Sequence, residues 1–210
     1  MPSFEQITQF VDTPASGNPW VVEPLPSPIE LVDYDPDWPT QARAIMDRLA
    51  QLLELRAIRI DHVGSTSVCG LPAKPIIDLD VTVADPANED AWLGRLQDAG
   101  FVLTVREPWW YEHRMLRGGG RSDDRVTPTD GGPAANIHVF GPDSPEPIRH
   151  LIFRNWLRFN ADDRELYAEA KRAAARSQHK QDLVTDYNAR KQAVIRDIYD
   201  RAFRATGFRR

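Results

Sequence analysis

A single cysteine, Cys69, among 210 residues excludes an internal disulfide, and its place beside a turn of small residues points to packing rather than redox chemistry. No apolar run is long enough to cross a bilayer, and the opening stretch MPSFEQITQFVDTP has neither the basic segment nor the apolar one of a secretion signal. A cytoplasmic protein is expected. Excess positive charge is also missing. Lys and Arg number 26 against 31 Asp and Glu, for a formal charge of -5 and a pI of about 5.6. Duplex-binding proteins carry a basic surface, so nucleic acid is set aside as a partner in favour of small molecules. Internal repeats and coiled-coil heptads are absent as well.

What is present suffices for one substantial core with a helical appendage, since 41% of the residues are hydrophobic. The most informative stretch is DHVGSTSVCGLPAKPIIDLDVTV, from Asp61 to Val83. Side chains alternate along a strand, so Asp78 and Asp80 project from one face while Ile77, Leu79 and Val81 project from the other. Two carboxylates aimed at one point repel unless a cation lies between them. Hard oxygen ligands of this kind suit Mg2+, which completes its shell with water and substrate phosphates. Upstream, the Gly64-Ser65 turn with Thr66 and Ser67 offers backbone N–H groups and hydroxyls to an anion. Either motif alone is weak. Together, with the aspartates interrupting an otherwise apolar run, they read as a metal–phosphate site of the sort used in phosphoryl or nucleotidyl transfer.

Gly-Ser, a spacer of about a dozen residues and then Asp-x-Asp on a strand resembles the nucleotidyltransferase fold of the polymerase beta superfamily, and in particular the GrpB family. The likeness rests on VDYDPDWP (32–39), HVGSTSVCGLPAKPIIDLDV (62–81), Glu112-His113-Arg114, Asn136-Ile137-His138-Val139 and FRNWLRFN (153–160), with Tyr167, Lys171, Tyr187 and Lys191 on later helices. It implies an α/β (α+β) fold: a mixed sheet over about 29–141, flanked by helices, then a helical part over about 145–205. The family occurs free-standing and as an added domain on dephospho-CoA kinases. One departure stands out. Superfamily members carry a third carboxylate on a later strand, where this chain has Asn136 and His138. Magnesium prefers oxygen, so His138 tilts the site toward Mn2+ or another imidazole-tolerant metal, acts as a base, or hydrogen-bonds an aspartate.

Around this centre the sequence sets further expectations. Residues 1–28, rich in proline, read as an extended arm with Phe4, Phe10 and Trp20 as anchors, before a single domain over 29–210. Ile29 to Tyr34 reads as a strand, and Asp37 as the cap of the next helix. Asp90 to Ala99 reads as an amphipathic helix closed by Gly100. Strands are expected at 58–63, 76–83, 101–106, 111–117 and 135–140, and helices near 145–160, 162–178 and 181–205. Gly118 to Ala134, with five glycines, reads as a mobile connection whose Arg121 and Arg125 could reach a triphosphate. Lys74 is placed to reach phosphate, and Arg114 to clamp a phosphate or pair with an aspartate. The resemblance adds Arg154 as an anion contact, Lys191 and more weakly Lys171 as triphosphate ligands, and Tyr187 as the partner of the base.

The activity these features imply is transfer of a nucleoside monophosphate from a nucleoside triphosphate, ATP by expectation, to a small acceptor. The segment Glu107 to Tyr111 is a candidate wall of the acceptor pocket. A silent nucleotide-binding module and a phosphohydrolase built on the same metal site are the alternatives.

Overall fold

The computed structural model describes residues 1–11, 17–119 and 128–208. Five strands, β1 (Ala57–Val63), β2 (Ile77–Val83), β3 (Val102–Glu107), β4 (His113–Gly118) and β5 (Ala135–Phe140), form one mixed sheet in the order β1-β2-β5-β4-β3. Only β2 and β5 run parallel; the other neighbours are antiparallel. Among the described residues the α-helices are α1 (Phe4–Thr8), α2 (Trp38–Leu53), α3 (Leu93–Asp98), α4 (Glu146–Phe159), α5 (Ala161–Arg176) and α6 (Val184–Ala205).

Alternation divides the sheet into two chemically different faces. Ile77, Leu79, Val81, Ile137, Val139, Leu116 and Leu103 face α2 and α3 and close the main core with Trp38, Leu49, Leu53 and Leu96. Asp78, Asp80, Asn136 and His138 lie on the opposite face, beneath the C-terminal helices. Those helices pack among themselves and onto the loop after β1 through Val68, Leu71, Leu157, Tyr167, Ala168 and Ile198.

The mixed sheet with its flanking and C-terminal helices is the fold expected from the sequence. Details differ. Ile29 to Tyr34 is not a strand: only Val32 bridges, exchanging both hydrogen bonds with Ala73, because Pro72 and Pro75 on either side of Ala73 lack the N–H donors that a longer ladder needs. Asp37 makes no capping bond; the Asp35 carboxylate instead accepts the Asp37 N–H at 2.8 Å. The helix expected from Asp90 starts at Leu93, after a 3-10 turn over Glu89–Ala91. It ends at Gly100, whose φ of +95° is the left-handed stop that the sequence calls for. Tyr111 and Glu112 both take φ near 54°, which delays β4 to His113.

The arm is not wholly extended. Ser3 and Gln6 form a capping box that starts α1. Ile7 is buried against Tyr199 and Phe203, and Phe10 packs edge-on to Tyr199 at 5.3 Å. Of the other expected anchors, Phe4 stays mostly exposed and Trp20 bridges to Val105. In the connection between β4 and β5, Asp130 accepts the Gly119 and Gly132 N–H groups; Arg121 and Arg125 lie outside the described residues. No described helix is long and apolar enough to cross a membrane.

Candidate metal and phosphate site

Gly64 leaves β1 with φ +67° and ψ -169°, a conformation that is essentially glycine-only. The following 3-10 turn is held from inside by Ser67 Oγ, which donates to the Gly64 carbonyl at 2.6 Å, and from α4 by two arginines. Arg154 Nη1 donates to the His62 carbonyl at 2.8 Å. Arg158 donates to the Ser67 carbonyl from Nε and Nη2, at 3.0 and 2.6 Å. Arg154 therefore braces the turn, and burial together with nearby Arg158 lowers its pKa below the usual arginine value. Thr66 is buried, with its hydroxyl 3.0 Å from His62 Nε2. Gly64 is exposed and Ser65 half-buried; burial raises the Tyr167 pKa to about 12 against the opposing effect of nearby Ser65.

The two aspartates behave differently. Asp78 lies opposite Asn136, and Asp80 opposite His138. Asn136 Nδ2 donates to Asp78 Oδ1 at 2.9 Å, and His138 Nε2 is 4.0 Å from the same oxygen. Asp78 packs so tightly on the turn that a Cβ on Gly64 would lie 2.3 Å from its Oδ2. Asp80 is 1% exposed; its Oδ2 bonds to His150 Nδ1 at 2.8 Å, whereas its Oδ1 is buried with no hydrogen-bond partner among the described residues. Burial alone would lower the pKa of His150, but the charge and hydrogen bond of Asp80 override it and hold the value at about 9.

A buried, unpartnered carboxylate oxygen costs free energy unless something ligates it. No group of three His, Cys, Asp or Glu among the described residues is arranged as a ready metal shell. Two carboxylates nevertheless fit Mg2+, which commonly takes one or two from protein and the rest from water and phosphate. With its nitrogen 4.0 Å from Asp78, His138 would suit Mn2+ as well.

Opposite Asp78 the helices bring lysines. Lys171 from α5 and Lys191 from α6 are buried. Burial lowers the Lys191 pKa to about 8 against the opposing pull of Asp78. It pushes Lys171 well below the usual lysine range, with Lys191 and Lys74 adding repulsion. Lys171 Nζ donates to the Pro72 carbonyl. Tyr187 is also buried, with its hydroxyl unpartnered among the described residues. Lys191 and Lys74 lie 4.5 and 5.9 Å from its ring centroid. A ring so enclosed supports two cations and offers no open face to a base, contrary to the stacking role expected of it.

Arg114 is not brought to the site. It pairs with Val139 in the ladder and so lies on the α3 side of the sheet, where its Nε donates to Glu89 at 2.7 Å and its Nη1 to the Glu112 carbonyl at 2.9 Å. Sequence reasoning misses His150. Its signal is spacing: His150, Arg154 and Arg158 recur every four residues along one face of α4.

His62 gives the site a sensitivity to acid. Burial, reinforced by Arg158 and Arg154 and opposed by Asp78, lowers its folded pKa to about 4. Above the unfolded value of roughly 6.5 it contributes nothing to the pH dependence. As pH falls from there toward 4, the unfolded chain binds a proton that the folded one refuses, and stability drops by roughly 3 kcal/mol from this group. Urea unfolding at pH 7 and pH 4 should therefore differ more in the wild type than in His62→Gln; equal differences would show that His62 is not the cause.

The chain is similar to a UPF0157 protein of Halalkalibacterium halodurans, with 39% identity over 181 residues covering 86% of each. It is also similar to a UPF0157 protein of Streptomyces coelicolor, 38% identical over 178 residues, covering 83% of this chain and 84% of that one. The dephospho-CoA kinase of Mycolicibacterium paratuberculosis matches at 32% identity over 192 residues, 84% of this chain but only 46% of the kinase. Among solved structures, the conserved protein GrpB from Enterococcus faecalis aligns with a TM-score of 0.68 at 28% identity, over 84% of this chain and 99% of that one. The GrpB protein family matches residues 28–201, from the segment before the Val32 bridge almost to the end of α6 and so through every residue of the site described above; the chain belongs to the GrpB family.

Proposed function

We propose that the chain transfers a nucleoside monophosphate from a nucleoside triphosphate, ATP in the first instance, to a small-molecule acceptor, with Mg2+ or Mn2+ held by Asp78 and Asp80. The observation that carries this reading is the unpartnered Oδ1 of buried Asp80 beside Asp78, whose own carboxylate lies against the glycine turn. Backbone N–H groups at Gly64 and Ser65 would receive phosphate oxygens, and Lys74, Lys171 and Lys191 would balance their charge. The metal, when bound, supplies charge stabilisation for a developing oxyanion. Arg154 and Arg158 keep the turn in shape, Asn136 orients Asp78, His150 orients Asp80, and His138 stands where an acceptor could lose its proton.

One observation favours nucleotide binding without transfer. Where a third acid would stand on β5 there is Asn136, and its amide already occupies Asp78 Oδ1. Thermal unfolding with ATP, GTP, CTP or UTP, each with and without Mg2+ or Mn2+, tests both readings. A nucleotide at a hundred times its Kd stabilises by roughly 2.7 kcal/mol. A metal-dependent shift is expected in the wild type and its loss in Asp78→Asn and Asp80→Asn; no shift with any nucleotide would overturn both. Pyrophosphate release on adding acceptors marks the transferase, phosphate release without an acceptor a hydrolase, and neither the silent module.

A further inference from the structure

A line of hydrogen bonds runs from the D-x-D site to a cavity. Glu107 Oε2 lies 2.7 Å from His113 Nδ1, and His113 Nε2 lies 3.0 Å from His138 Nδ1. The other nitrogen of His138, Nε2, points toward Asp78 at 4.0 Å, beyond hydrogen-bond range. The two imidazole planes are 22° apart with centroids separated by 5.2 Å. At that spacing a 3.0 Å N···N contact runs nearly in the plane of both rings, where the N–H and lone pair lie. Glu107 at the far end lines a cavity of about 210 Å3 together with Phe10, Trp109, Trp110, Gln192 and Arg196.

We infer that Glu107 and His113 are positioning residues that hold His138 as its Nδ1–H tautomer, presenting an Nε2 lone pair to the Asp78 side of the site. An ionised Glu107 can only accept, so His113 must donate from Nδ1. Burial keeps His113 from becoming an imidazolium, with His138 beside it adding repulsion. Its Nε2 is then a bare acceptor, which obliges His138 to donate from Nδ1. The reversed alignment would hold one proton more, on the Glu107 carboxyl, and would leave His138 Nε2–H without a bond at 4.0 Å. Ordinary carboxylate chemistry near neutral pH therefore favours the first alignment, although burial raises the Glu107 pKa.

The two alignments are also the two ends of a balanced proton transfer. When an attacking O–H or N–H of the acceptor loses its proton to His138 Nε2, the proton on His138 Nδ1 passes to His113 Nε2. The proton on His113 Nδ1 then passes to Glu107 Oε2. Neither ring carries charge at the start or the end, and the proton finishes on a carboxyl at the cavity. This use of the lone pair rests on the transferase reading above; the tautomer does not.

The test is accordingly made on the metal-free, nucleotide-free protein by 15N NMR of labelled histidines. In the wild type, the signal of the unprotonated ring nitrogen of His138 should belong to Nε2. In His113→Phe, which keeps an aromatic ring beside Phe140 and Trp110, it should move to Nδ1. Glu107→Ala should move it the same way through His113 and serves if the first variant fails to fold. A wild-type His138 protonated on Nε2, or one unmoved by a folded variant, would overturn the inference. Nucleotide binding, measured separately, decides the transferase reading.

Discussion

Gly64→Ala is expected to destabilise the chain by roughly 2–5 kcal/mol and to abolish the metal-dependent response to nucleotide that the proposed function calls for. Two costs combine. The backbone at φ +67°, ψ -169° is open essentially to glycine alone. The new methyl would also lie 2.3 Å from Asp78 Oδ2 and 2.8 Å from its Cβ, so either the turn or the carboxylate must move. Gly70 provides the control: φ is +77°, yet a methyl added there would meet nothing within 4 Å, and Gly70→Ala should cost only about 1–2 kcal/mol. Urea unfolding and nucleotide thermal shifts on both variants measure the difference. If Gly64→Ala costs no more than Gly70→Ala, the close approach of turn and aspartate is not a feature of the folded chain.

Arg149→Met should cost about 3–5 kcal/mol and release the N-terminal arm. Arg149 is 0% exposed. Its guanidinium pairs with Glu146, donates to the Ile7 carbonyl at 2.7 Å and also bonds to the carbonyls of Gln6 and Gln9. Removing it strands a buried carboxylate and several buried acceptors at once. Adding Glu146→Gln, which keeps an acceptor for Trp110 Nε1, should recover part of the loss. Unfolding free energies and protease cleavage in the arm read the two effects separately. A single variant as stable as the wild type, or a double variant less stable than the single, would contradict this account.

Residues whose neighbours are close in sequence or fixed by strand alternation are the legible ones. Asp78 and Asp80 share a face because β2 is a strand, and Gly64 closes β1 because its conformation suits no other residue. All three lie between Asp61 and Val83, and the turn does touch Asp78. Arg114 is misread for a reason that alternation also explains: its face depends on where β4 starts, and the left-handed pair Tyr111-Glu112 sets that start. His150 cannot be paired with Asp80 without knowing that α4 lies over that face of the sheet. Tyr187 falls in the expected region with a different task, because helix spacing shows which side chains share a side and not whether that side is open. The Glu107–His113–His138 line draws on β3, β4 and β5, so it exists only once the register of all three is fixed.

The strand order has a consequence for how the chain is made. Strands β1 and β2 can zip together locally, as can β3 and β4, but neither pair touches the other except through β5. This last strand is therefore a keystone, inserted between two finished hairpin-like halves. About fifty residues separate the end of β2 from the start of β5, on the order of several seconds of translation. Through that interval the emerging chain exposes an apolar strand edge, the kind of template on which nascent chains pair wrongly. A proline at Ile137 would thus do more than weaken one strand: it would leave two half-sheets with no strand ladder between them.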